Sequence, residues 1–281
     1  MAGVGDIRRR IHSVTNMQQI TKAMKMVAAS KLRKSQNKVL ASRPYSKQVQ
    51  AVLSRVVQTE KNLRHPLLEQ RDVKKVGYVL VTSDRGLCGG FNANLIRKAK
   101  SVINAQEKES ALIAVGRKGI DFFLPRDVKI LTQFTGLGDD PHYEHASQIA
   151  DEVIHQFTSG AVDEVYLIYS KFVSVLTQKP SVQKLLPIEP YGEKANGSYL
   201  YEPSPEEMLS RLLPLYLKSQ IYSALLENKA SEMGAKMTAM DAATQNAKDM
   251  IAKLTLEMNR ARQAAITTEI SEIVGGASAL E

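Results

Sequence analysis

LENKASEMGAKMTAMDAATQNAKDMIAKLTLEMNRARQAA (226–265) decides how this chain is built. Apolar or small residues fall at Leu226, Ala230, Met233, Met237, Met240, Thr244, Ala247, Ile251, Leu254, Met258, Ala261 and Ala265. The steps between them alternate four and three. A period of about 3.5 residues keeps one stripe on one side of an α-helix and marks a left-handed coiled coil. Glu232/Lys236 and Asp249/Lys253 are spaced for ion pairs one turn apart on the flanks. The stripe uses Met, Ala and Thr where a stable zipper prefers β-branched residues and Leu. Small residues admit a close neighbour, and methionine adapts to varied ones. Upstream, SPEE (204–207) reads as a helix start, with Ser204 as N-cap, Pro205 at the first position and Glu207 closing a capping box. Pro214 is expected to bend the helix, and Gly275-Gly276 to end it.

The other end of the chain predicts a second long helix over 3–58. Val4, Ile7, Ile11, Val14, Met17, Ile20, Met24 and Val27 recur three or four apart and form the expected seam. Pro44 is a possible kink. At about 1.5 Å per residue this helix is on the order of 80 Å long, too long to be hidden in a compact globule. Its charge is one-sided. Residues 1–58 hold twelve Lys and Arg against a single acid, Asp6, whereas the rest of the chain carries 26 basic and 28 acidic residues. The whole +9 net charge therefore comes from the first segment.

Between the helices the pattern changes. VGYVLVT (76–82) is a continuous apolar, β-branched run, the mark of a strand buried on both faces. A turn, SDRGLCGGFN (83–92), leads into a helix over 94–107. Strands follow at 111–116 and 128–134, with a short helix near Arg117–Phe123 between them. A helix at 142–157 precedes two strands, 162–172 and 174–188, expected to form an antiparallel hairpin. Alternating strands and helices imply a mostly parallel, Rossmann-like α/β domain. The expected division is 1–58, 59–203 and 204–281. The fold class is mixed α+β and α/β, a long antiparallel coiled coil of the terminal helices plus that domain.

The residues for catalysis are missing from their usual contexts. Gly86, Gly89 and Gly90 follow a strand but do not fit GxGxxG, and no GxxxxGK[ST] occurs. They read better as a turn or a contact loop. Cys88, the one cysteine, lies near Arg85 but has no histidine nearby in sequence, so a structural thiol is the expectation. His142 and His145 read as a polar loop entering a helix rather than as metal ligands. No GxSxG or HExxH is present. No cofactor is expected, and no direct nucleotide binding. No stretch approaches the roughly 20 apolar residues of a membrane span. MAGVGDIRRR (1–10) lacks the apolar core of a secretory signal, so a protein facing the cytosol is expected.

A basic helix can meet nucleic acid, an acidic membrane surface or an acidic protein. Only Tyr45 is aromatic in the first segment, so base stacking has little support. A membrane-surface helix would want larger apolar anchors. An acidic protein partner fits best, with a nucleic-acid-binding coiled-coil protein as the alternative. The two long helices, each with one apolar seam, would pair if the chain folded back on itself.

Taken together, MQQITKAMKMVAASKLRKSQ (17–36), SDRGLCGGFN (83–92) and RQAAITTEISEIVGGASA (262–279) resemble the gamma subunit of the F-type ATP synthase over essentially the whole chain. The absence of a presequence, and of a cysteine-bearing insertion in the α/β domain, resembles a bacterial member. The resemblance implies a non-catalytic rotor shaft, the central stalk of a rotary motor in ATP synthesis and hydrogen ion transport. Its partners would be three alpha and three beta subunits, epsilon and the c-subunit ring. It would sit peripherally on the cytoplasmic side of the cell membrane. The resemblance further implies rotor–hexamer contacts at Met24, Lys25, Lys236, Arg262, Gln263, Thr267 and Glu269, with the tail Ile273–Leu280 held at the tip. It implies base contacts to epsilon and the c ring at Tyr199, Tyr201 and Arg85. Lys236 stands where some members carry arginine, which keeps the charge but not a planar bidentate contact.

Overall fold

The computed structural model describes residues 3–59, 65–126, 128–138, 140–189 and 204–278. Two helices dominate, α1 (Val4–Thr59) and α5 (Pro205–Ser278), and both run through their internal prolines, Pro44 and Pro214. The chain forms two compact units, one of Met1–Val27 with Met237–Glu281, the other of Ala28–Lys236.

Unit 28–236 is built on a five-stranded sheet of order β3-β2-β1-β4-β5. β1 (Lys75–Val81), β2 (Glu109–Val115), β3 (Lys129–Phe134) and β4 (Glu164–Phe172) are parallel, and β5 (Gln178–Leu186) closes an antiparallel hairpin with β4. Pro180 pairs opposite Ser170 in β5, where a residue lacking an N–H is tolerated because β5 is an edge strand.

Every residue of β1 after Lys75 is buried, as its unbroken apolar run requires. Successive side chains divide between two faces. Val79, Val81, Ile113, Val115 and Leu167 pack with Ile149, Val153 and Phe157 of α4 (Tyr143–Thr158). Leu53 and Val56 of α1 and Leu213, Leu217 and Ile221 of α5 complete that face. On the other face Tyr78, Leu80, Leu112 and Ala114 meet Phe91, Leu95 and Ala99 of α2 (Phe91–Asn104). Ile120 and Phe123 of α3 (Arg117–Phe123) join them. Each fully buried leucine here contributes roughly 2 kcal/mol. The short helix falls where the sequence placed it.

α5 departs from expectation at both ends. Ser204 Oγ accepts the Glu207 N–H at 3.4 Å, but the Glu207 carboxylate pairs with Arg211 at 2.8 Å instead of closing the box. The helix also continues through Gly275 and Gly276 to Ser278. An interior glycine costs only about 1 kcal/mol, less than a helix needs in order to stop.

Gly116 joins β2 to α3 at φ +92°, with its N–H bonded to the Phe134 carbonyl. A Cβ there would lie 2.3 Å from the Thr82 carbonyl oxygen. Gly116→Ala should therefore destabilise the chain by about 3 kcal/mol, read as a lowered urea midpoint; an unchanged midpoint would contradict this close approach.

Candidate functional site

In unit 1–27 with 237–281 the two helices run antiparallel. Thr244 Oγ1 lies 2.8 Å from Thr21 Oγ1, and Lys25 Nζ lies 2.6 Å from Asp241 Oδ1. This fixes a seam different from the expected one. Ile7 and Thr21 are buried, whereas Met17, Ile20 and Val27 are more than half exposed. Met24 is half-buried. The apolar spacing of α1 is real, but part of it faces solvent, because polar residues of the two helices satisfy one another inside. Met17, Ile20, Met24 and Val27 thus form an outward stripe that a partner can cover.

On α5 the seam is recognisable through Met240 and Ala247, both buried, and ends at Ala261. From Arg262 to Gly275 every residue is exposed, including Ile266, Ile270, Ile273 and Val274. Arg262, Gln263, Thr267 and Glu269 all lie on this exposed stretch of helix, with Thr267 Oγ1 donating back to the Gln263 carbonyl. Of the tail Ile273–Leu280, only the part through Ser278 is described.

In unit 28–236, Asn228 and Ser231 of α5 cap the carboxyl end of β4. Asn228 Oδ1 accepts the Ser170 N–H at 3.0 Å, and the Ser231 hydroxyl donates to the Ser170 carbonyl at 2.9 Å. In doubly wound sheets ligands bind outside the carboxyl ends of the strands, where the strand order reverses. Here the protein's own helix lies against the β4 side of that place. A cleft of about 460 Å³ remains beyond it, lined by Asp84, Arg85, Arg117, Lys229 and Glu232 among others. Asp84 is committed to the backbone, accepting from the Arg117 and Gly136 N–H groups. Glu232 is held between Lys229 at 3.0 Å and Lys236 at 3.7 Å.

Arg85 and Lys236 therefore share one neighbourhood through Glu232, although the resemblance assigned them to opposite partners. Cys88 is buried, and burial raises its pKa, which disfavours the thiolate. Asn92 donates to its sulfur at 3.3 Å. Gly89, at φ +56°, is the turn glycine of the loop. His142 caps α4 in a capping box with His145. Among the described residues no group of three or more His, Cys, Asp or Glu is placed to hold a metal. No described helix is long and apolar enough to cross a membrane. Tyr199 and Tyr201 lie outside the described residues.

Sequence reasoning assigned the basic face of α1 wholly to an outside partner. The structure instead pairs Lys34 and Lys38 with Asp140 at 2.9 and 2.5 Å, and Lys25 with Asp241. Asp140 lies more than a hundred residues away in sequence, so nothing local signals it. Lys22 and Arg33 remain exposed.

This architecture is an α/β domain set in sequence between two long antiparallel helices, one ending in an exposed apolar stretch. Residues 3–280 match the protein family described as ATP synthase. The ATP synthase gamma chain of Desulfitobacterium hafniense is 60% identical over 281 residues, 100% of both chains. A chain of the Tetrahymena thermophila mitochondrial ATP synthase central stalk and c-ring structure is 28% identical, with a TM-score of 0.64. The match covers 80% of this chain and 99% of that one. A chain of the Euglena gracilis mitochondrial ATP synthase OSCP/F1/c-ring structure shares the fold at 20% identity and a TM-score of 0.67, over 99% and 94% of the two chains. The chain belongs to the ATP synthase gamma-chain family.

The two lysines beside Asp140 hold its carboxyl at about 2, below its ordinary 3.8, chiefly through the Lys38 hydrogen bond and then that of Lys34. A depressed folded-state value means the ties contribute fully above pH 3.8 and are lost as pH falls through about 2. NMR titration should place Asp140 near that midpoint and show it rising towards 3.8 in K34A/K38A; a midpoint unmoved by the double substitution would refute the pairing.

Proposed function

We propose that this chain is the central rotor shaft of an F-type ATP synthase, coupling proton-driven rotation of the c ring to conformational cycling of the catalytic beta subunits. Hydrolysis turns it in reverse. The observation that carries this reading is 60% identity over the full length of a gamma chain, together with an antiparallel helix pair that leaves 262–275 wholly exposed. The chain itself supplies no chemistry in this role. Its partners are three alpha and three beta subunits, epsilon and the c ring, and it sits peripherally on the cytoplasmic side of the cell membrane. We assign 1–58 and 204–281 to the shaft helices and 59–203 to the globular domain.

Met24, Lys25, Lys236, Arg262, Gln263, Thr267 and Glu269 are the candidate hexamer contacts; Tyr199, Tyr201 and Arg85 are the candidate base contacts. The outward stripe through Met17, Ile20, Met24 and Val27, rimmed by Lys22, suits an acidic lever that must dock and release at each step. Charge complementarity gives such a contact speed and orientation without a deep pocket. The nucleic-acid alternative weakens because Lys25, Lys34 and Lys38 already meet acids of the same chain.

Affinity purification of the chain from detergent-extracted membranes should bring two larger nucleotide-binding subunits in threefold excess; recovery of the chain alone or with nucleic acid would refute the assignment. In that complex, acidic replacements at Lys22 and Arg33 together should lower ATP-driven proton pumping by about twofold or more relative to hydrolysis. Undiminished pumping would remove the basic face from the coupling contact.

A further inference from the structure

The seam of unit 1–27 with 237–281 has an unusual interior. Its α5 side is largely Met and Ala: Met237, Met240, Ala247, Met258 and Ala261. Such residues adapt to many neighbours and discriminate weakly between one alignment of two helices and another. At the level of Thr21 the interior is polar. Thr21 is buried, and its hydroxyl has two neighbours, the Thr244 hydroxyl at 2.8 Å and the Gln18 carbonyl at 3.0 Å. The Thr244 hydroxyl also lies 2.7 Å from the Met240 carbonyl of its own helix. Two hydroxyl protons serve these three contacts: one bridges the seam and the other goes to a carbonyl of its own helix. One turn along, the Lys25–Asp241 pair closes the flank.

We propose that these two layers are register pins, polar contacts whose role is to hold α1 and α5 in one antiparallel alignment. Each helix is continuous with its half in unit 28–236, where the Ser46 and Ser219 hydroxyls meet at 2.9 Å, and the adaptable seam beyond would by itself carry that alignment only weakly. Polar residues at core positions of coiled coils set register by what they lose when misaligned.

The sequence shows the loss for a slide of seven residues. Thr21 would then face Ile251 or, in the other direction, Met237, and its buried hydroxyl would lose its partner across the seam. In the first direction Lys25 would leave Asp241 and face Lys248. A slide of one heptad moves a helix by about 10 Å and changes how much of α5 extends past Val4. The pins therefore fix the length of the exposed 262–275 segment, the part the proposed rotor role needs at a constant height. The pins rest only on the seam geometry; the reason for keeping them rests on that role.

Disulfide trapping in the full chain tests the register directly, independently of rotor activity. From the observed pairs, Val14 faces Ile251 in register and Met258 after the slide. V14C/I251C and V14C/M258C are oxidised under identical conditions, and the linked peptides are quantified by mass spectrometry. In the parent chain only V14C/I251C should link efficiently.

T21V/K25D favours the slide twice over. The first substitution sets an apolar side chain against Ile251, and the second sets an acid against Lys248. Together they should raise the slid V14C/M258C product by about fivefold. K25D/D241K restores an attractive pair in the original register and should return that product to the parent level. If T21V/K25D loses helical circular dichroism, K25D alone, a substitution at a partly exposed side chain, should show a smaller rise in the same direction. No rise in any of these variants, or an equal rise in K25D/D241K, would overturn the proposal.

Discussion

Within residues 28–236 the structure depends on one helical face. Leu209, Leu213, Leu217, Ile221 and Leu225 recur every fourth position along α5 and are almost wholly removed from water against the sheet, α4 and the end of α1. Without that contact the parallel strands would leave one apolar face open. With it, the helix that completes the core must continue past the carboxyl edge of the sheet, where Asn228 and Ser231 take the backbone groups of Ser170. A domain with the topology of a ligand-binding fold thus lays its own helix along one side of its crevice. Fold topology alone assigns no nucleotide chemistry to this domain, because function follows the site rather than the topology.

The second unit is organised by a different compromise. Burying Thr21 against the half-buried Thr244 and placing a charge pair beside them leaves Met17, Ile20 and Val27 facing outward. A helix pair optimised for stability alone would reverse those positions. In the proposed role, an exposed apolar stripe beside lysines serves as a surface for intermittent contact, and the fully exposed segment after Ala261 extends the same logic to the end of α5.

Much of this was legible from residues alone. The unbroken apolar run of β1 and the helical pattern of α4 each state their local structure, because side-chain period is a local property. The α5 heptads were equally plain. What failed was whatever depended on a distant partner. The α1 seam was misread because Met17, Ile20 and Val27 have the right spacing, and only Thr244 and Asp241 reveal that the neighbouring face is the buried one. Asp140 could not be matched to Lys34 and Lys38 without the fold. The helix was expected to stop at Gly275-Gly276 because paired glycines usually punctuate, yet each costs only about 1 kcal/mol in a helix interior.

In the proposed role, the chain transmits torque without forming or breaking a covalent bond, so its surfaces matter more than any pocket. The most direct test is rotation itself. With the assembled hexamer immobilised and a probe attached to an exposed position of the α/β domain, ATP should turn the probe in one direction through three equal pauses per revolution. Covalently locking this chain to the hexamer should then halt hydrolysis. A stationary probe during steady hydrolysis, or hydrolysis undiminished by the lock, would contradict the account.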